Sequence, residues 1–108
     1  MLVSTTNDLA GYRVVRHVGL VRGLTVRSRS VIGNFAAGIQ SIFGGNITIY
    51  TRLAEDARRE AYMLMSEHAA DMGANAVLAM RYDANDIMEG ITEVLAYGTA
   101  VVVEPVTR

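Results

Sequence analysis

The stretch Ile91-Thr92-Glu93-Val94-Leu95-Ala96-Tyr97-Gly98-Thr99-Ala100-Val101-Val102-Val103-Glu104 decides the fold. Its odd positions read Ile91, Glu93, Leu95, Tyr97, Thr99, Val101 and Val103; its even positions read Thr92, Val94, Ala96, Gly98, Ala100 and Val102. Apolar groups on both alternating faces predict a long strand in the middle of a sheet, covered on two sides. Pro105 ends it, where a missing amide donor does no harm.

Working back along the chain, Asp83-Ala84-Asn85-Asp86-Ile87-Met88-Glu89-Gly90 has turn composition and reads as an acidic hairpin connection. Asn75 to Tyr82 reads as a short strand, nearly all apolar from Ala76 to Met80. Before it, Tyr50, Leu53, Ala54, Ala57, Ala61, Leu64, Met65, His68 and Met72 recur at i, i+3, i+4 and i+7, which predicts a helix over about Thr48 to Met72. Asn46, Thr48 and Thr51 are each able to supply its N-cap oxygen, and Gly73 stands where a left-handed C′ residue belongs. Arg52–Asp56 and Glu55–Arg59 have ion-pair spacing on the outer face. A shorter helix is expected around Phe35, Ile39, Ile42 and Phe43, stopped by Gly44-Gly45. Tyr12 to Arg27 is apolar on both faces and reads as a first strand, with Gly19 and Gly23 marking a bulge or a close backbone approach.

The order strand, helices, strand, hairpin, strand predicts an α+β domain, β-α-β-β. A right-handed crossover makes the first two strands parallel, the hairpin makes the third antiparallel, and the sheet order is 1-3-2. One long helix covers one face of three strands. The other face would leave Val94, Ala96, Ala100 and Val102 or Leu95, Tyr97, Val101 and Val103 in water, a patch uncommon on a stable monomer. Copies of the same chain are therefore the expected cover. Charge is divided in a way that suits this: residues 1–46 hold five arginines and one acid, 5 − 1 = +4, and residues 47–108 hold five arginines and ten acids, 5 − 10 = −5. Complementary patches on one subunit favour head-to-tail contacts that close into rings.

Residues 1–108 are one domain's length, with 51% hydrophobic residues, 19% charged and a net charge of −1. Cysteine is absent, which excludes disulfides, thiolate metal sites and cysteine nucleophiles. All ten cations are arginine, which excludes a Walker-A loop and a Schiff-base lysine. No apolar run is long enough to span a membrane and the first residues do not read as a signal peptide, so a cytoplasmic protein is expected. Arg13, Arg16, Arg22, Arg27 and Arg29 lack interleaved aromatics apart from Tyr12, so no nucleic-acid partner is expected.

For chemistry, His17 and His68 are the candidate metal ligands, with Glu67 or Asp71 as helpers; without an HxxxH or HxH pair each reads first as a packed or interfacial residue and only second as a ligand. Gly44 and Gly45 ahead of the long helix, with Tyr50 and Arg52 in its first turns, are the candidate ligand-binding residues, because backbone amides and an arginine there suit an anion. The plainer reading is a glycine pair separating two helices. Asp83 to Gly90 lacks calcium-loop spacing. Ser66 and His68, two apart on a helix, do not face each other as nucleophile and base would.

Ser4-Thr5-Thr6, Gly19-Leu20-Val21-Arg22-Gly23, Phe35-Ala36-Ala37-Gly38-Ile39, Gly44-Gly45 with Tyr50, Met72-Gly73-Ala74-Asn75-Ala76-Val77 and Tyr97-Gly98-Thr99-Ala100-Val101 follow one another in an order that resembles the YbjQ family across essentially the whole chain. The resemblance implies heavy-metal binding, a dodecin-like subunit and a homopentamer. Many relatives carry a cysteine where this chain has Val18, an acid where it has Leu24 and a glutamate where it has Thr51. The reading that results is a non-enzymatic, self-associating binding module, with a metal ion or small molecule held between subunits and no cofactor identified. An enzyme whose site is built at an interface from Tyr50, Arg52 and His17 or His68 is the alternative, and a purely structural scaffold the third.

Overall fold

The computed structural model describes residues 1–28 and 47–107, with helix side chains described from Thr51 onward. The expected short helix around Phe35 to Phe43 and the pair Gly44-Gly45 lie outside the described residues. The elements are β1 (Leu2–Val3), β2 (Tyr12–Ser28), α1 (Ile47–Asp71), β3 (Ala76–Met88) and β4 (Ile91–Pro105).

The three long strands take the expected arrangement, with β4 central and antiparallel to both β2 and β3. The sheet nevertheless has four strands, not three, in the order β1-β3-β4-β2. β1 pairs in parallel with β3 at Leu2↔Ala76 and Val3↔Val77. Two residues carry no readable period. What makes them a strand is β3 and the residue before it, which offer Asn75 O to Leu2 N at 3.1 Å and Val77 O to Ser4 N at 3.0 Å.

The acidic connection also needs correcting. β3 runs on to Met88, and only Glu89 and Gly90 are left to turn the chain. Gly90 has φ +78 with open space around its Cβ position, so backbone conformation and not crowding selects glycine there. The segment reads as a turn because Arg81 to Glu89 are exposed, so both faces of the strand are solvated and no alternation is left to detect. A bulge precedes this part, with a register shift between Leu78 and Arg81 and Ala79 held at φ +54.

The helix is the expected one, and its last turn closes on Gly73 at φ +86 with Gly73 N donating to Ala70 O at 3.0 Å. Its packed stripe is thinner than periodicity suggests. Ala57, Ala61, Met65 and Ala69 are buried, whereas Leu64 and Met72 are exposed. Small residues let the helix settle on the β2 backbone. A Cβ at Gly23 would stand 1.9 Å from Ala61 O and 2.4 Å from Met65 N, so Gly23 marks a close approach and not a bulge. The β2 bulges lie at Val14/Arg16 and His17/Gly19. On the solvent side Arg59 turns to Asp56 at 3.2 Å, an i, i+3 pair in place of the expected Glu55–Arg59.

Two cores result. Under the helix, Val21, Val77, Met80, Val94, Ala96 and Ala100 pack with Ala57, Ala61, Met65 and Ala69. On the opposite sheet face Ala76, Leu78, Val101 and Val103 form a smaller cluster beneath Leu9 of the N-terminal segment. Further along that same face nothing comparable covers the sheet among the described residues.

Candidate functional site

Register defines the uncovered region. Leu20 faces Thr99, Arg22 faces Tyr97, Leu24 faces Leu95 and Val26 faces Glu93. Across β4, Tyr97 faces Arg81, Leu95 faces Asp83 and Glu93 faces Asn85. Val21 and Thr25 point under the helix, so side-chain alternation sends Leu20, Arg22, Leu24 and Val26 to the other face. There Leu20 is 67% exposed, Leu24 46% and Val26 49%, beside half-buried Leu95 and Tyr97. Leu20, Leu24 and Val26 share one face of the strand, with Arg22 between the first two, and stand beside Leu95 and Tyr97, so their exposure is grouped rather than scattered.

The histidines are placed by β2 and α1. His17 is exposed on β2 opposite Val101. His68 leaves the helix toward the outer edge of β2, where its Nδ1 lies 3.3 Å from both the amide and the carbonyl of Arg22. It accepts from the amide in one tautomer and donates to the carbonyl in the other. The stripe position of His68 reflects this reach over β2, since its side chain stays exposed. Among the described residues no three His, Cys, Asp or Glu side chains stand close enough together to hold a metal ion. Val18 is half-buried against the main core, so that position is filled by an aliphatic group.

Of the candidate ligand-binding residues, Gly44 and Gly45 lie outside the described residues. Tyr50 belongs to the first turn of α1, with its side chain outside the description, and Arg52 is exposed on α1. Periodicity missed a cluster where the hairpin meets α1. The Arg58 guanidinium sits 5.6 Å from the Tyr82 ring centre in cation–π geometry, and Glu55, Arg59 and Tyr62 complete a shallow depression. Burial first, then the neighbouring Tyr62 and Glu55, push the Tyr82 phenol above its ordinary value of 10.0 against the opposing pull of Arg58. Contact between residues 24 apart, on elements joined only by tertiary packing, leaves no local signal in a sequence. Among the described residues the buried Ser66 Oγ has no hydrogen-bond partner.

No helix among the described residues is long and apolar enough to cross a membrane. Residues 1–104 match a family model, YbjQ, described as "putative heavy-metal-binding". A UPF0145 protein of Chromobacterium violaceum is 61% identical over 104 residues, 96% of this chain and 89% of that one. Another, from Solibacter usitatus, is 56% identical over 106 residues, 98% and 95% of the two chains. Among solved structures, a DUF74-family protein of unknown function from Pediococcus pentosaceus superposes with TM-score 0.63 at 14% identity, over 96% of this chain and 98% of its own. That likeness establishes the shared fold. The match along nearly the full length, together with these identities, makes the chain a member of the YbjQ (UPF0145) family.

Proposed function

We propose that this chain is a self-assembling, non-catalytic binding module whose metal or small-molecule site is completed between copies. The observation that carries the proposal is the exposed apolar group Leu20, Leu24 and Val26, flanked by Leu95 and Tyr97 and uncovered among the described residues. Fully burying one such aliphatic side chain is worth about 1.5–3 kcal/mol, enough in a row to offset part of the cost of association. A second copy is the occupant that fits. The β2 half of the chain is net positive and the half with α1, β3 and β4 net negative, so one copy offers both members of an attractive contact. The family resemblance supports five copies built from dodecin-like subunits.

Metal chemistry follows the same logic. A zinc-like site needs three or four ligands, more than one chain gathers among its described residues, so the ligands would come from more than one copy. His17 on β2 and His68 at the β2 edge are the residues positioned for that. Without cysteine the donor set is imidazole and carboxylate, which suits zinc better than the softest thiophilic ions.

The test is native mass spectrometry with elemental analysis of untagged protein, before and after exposure to zinc. The expected result is a multimer of the 11.7 kDa chain that retains zinc or a small molecule in fixed ratio and loses zinc in His17→Ala or His68→Ala variants. A clean multimer that binds neither would overturn the binding role while leaving assembly standing.

A further inference from the structure

We infer that each chain carries a separate small-molecule site in the depression between α1 and β3. Its ligand is a small zwitterion bearing a carboxylate and a primary ammonium, the chemistry of a free α-amino acid. One chain builds this site alone, so it does not depend on the assembly proposed above and uses neither histidine.

Helical spacing lays out one wall. Glu55, Arg58, Arg59 and Tyr62 stand at i, i+3, i+4 and i+7, a polar stripe beside the buried alanines. Tyr82 supplies the facing wall from β3. It pairs with Ala96, a fully buried residue of the core under the helix, so its side chain stands on the helix side of the sheet. The Arg58 guanidinium meets the Tyr82 ring at 5.6 Å, and Tyr62, Arg58 and Glu55 are all close enough to act electrostatically on its phenol. The space these five side chains border is about 420 Å³. That is toward the small end of the range for bound small molecules, which suits a single amino acid and not a polymer.

The charges around this space are not matched within the chain. Arg59 is drawn away to Asp56 at 3.2 Å, and Glu60 is taken by Arg27. Among the described residues Glu55 is then left without a cationic partner. Arg58 has no carboxylate partner there either, its guanidinium being held over Tyr82. The depression therefore presents one uncompensated carboxylate and one uncompensated guanidinium, one helical turn apart on the same stripe.

That arrangement selects the ligand. An anion drawn to Arg58 is repelled by Glu55, and a cation drawn to Glu55 is repelled by Arg58. A zwitterion satisfies both. Its carboxylate accepts the parallel N–H bonds of the Arg58 fork, and its ammonium donates to the Glu55 carboxylate, each a charge-assisted contact. The Tyr62 and Tyr82 rings add aromatic surface that favours an ammonium beside them. A quaternary amine has no N–H to give Glu55, so the primary ammonium is the better fit. Glu55, Arg58 and Tyr82 are exposed, so solvent screens each contact and the expected affinity is millimolar.

The test is titration of isotope-labelled protein with L-alanine at constant ionic strength, read by backbone amide shifts in NMR. The expected result is saturable shifts at residues 55–62 and around Tyr82. Acetate, ethylamine and glycine betaine, which each lack one of the two groups, should bind about tenfold more weakly or less. Glu55→Gln and Arg58→Gln, each checked for the parental circular-dichroism spectrum, should weaken L-alanine binding by about the same factor. Arg13→Gln, at the start of β2, should leave it unchanged. No saturable shift with L-alanine at several tens of millimolar would overturn the site. Acetate or ethylamine binding as tightly as L-alanine would overturn the zwitterion as its ligand. L-alanine binding that survives both glutamine variants would place the ligand elsewhere and overturn the inference as well.

Discussion

The two ends of one sheet face behave differently. Near Val101 and Val103, which are 0% and 5% exposed, the chain covers its own sheet on both sides, with Leu9 folded over the face away from the helix. Near Leu24 and Leu95 the helix covers one side, and nothing among the described residues covers the other. The difference is one of supply. Among the described residues a single helix and a short N-terminal segment cover two sides at one end and only one at the other, and the proposed reading assigns the remaining cover to a second copy.

The comparison can be broken or sharpened by substitution, the largest effects coming from the covered end. Gly23→Val places atoms into the Ala61 and Met65 backbone and should cost about 3 kcal/mol or more in urea unfolding, because the helix must lift from β2. Met65→Ala empties a fully buried position and should cost about 2–5 kcal/mol in the same measurement. At the open end the effect should move from folding to association. Leu24→Ser should leave the secondary-structure spectrum unchanged and lower the assembled fraction. A stability loss as large as that of Met65→Ala would show that Leu24 is covered within its own chain.

The smallest effect concerns the hairpin end. The raised Tyr82 phenol means the unfolded chain ionises first as pH climbs past 10.0, so the folded state loses relative stability from there up to the folded value. Below pH 10 this contribution is flat. A Tyr82→Phe variant should show a shallower decline of stability above that pH. An identical decline would remove Tyr82 as the cause.

The long elements were legible because burial writes a period into them. The helix from Ile47 to Asp71, the central place of β4 and the left-handed Gly73 all follow from spacing. What escaped is what local patterns do not encode. β1 exists only because β3 presents acceptors to two residues. The outer half of β3 looked like a turn because solvent on both faces erases alternation. The bulk of the helix seam was overestimated, since Gly23 draws the helix so close that alanines fill it while Leu64 stays outside. For the site, His68 was legible as a residue of interest, but not its reach to Arg22, and the Arg58–Tyr82 contact had no sequence signature at all.

Analytical ultracentrifugation of the untagged protein at micromolar concentration bears most directly on whether the open end needs a neighbour. A species at a whole multiple of 11.7 kDa, with the folded spectrum retained, is the predicted result. A folded particle sedimenting as a single chain would mean that the sheet tolerates its bare face, and the shared site would have no interface in which to form.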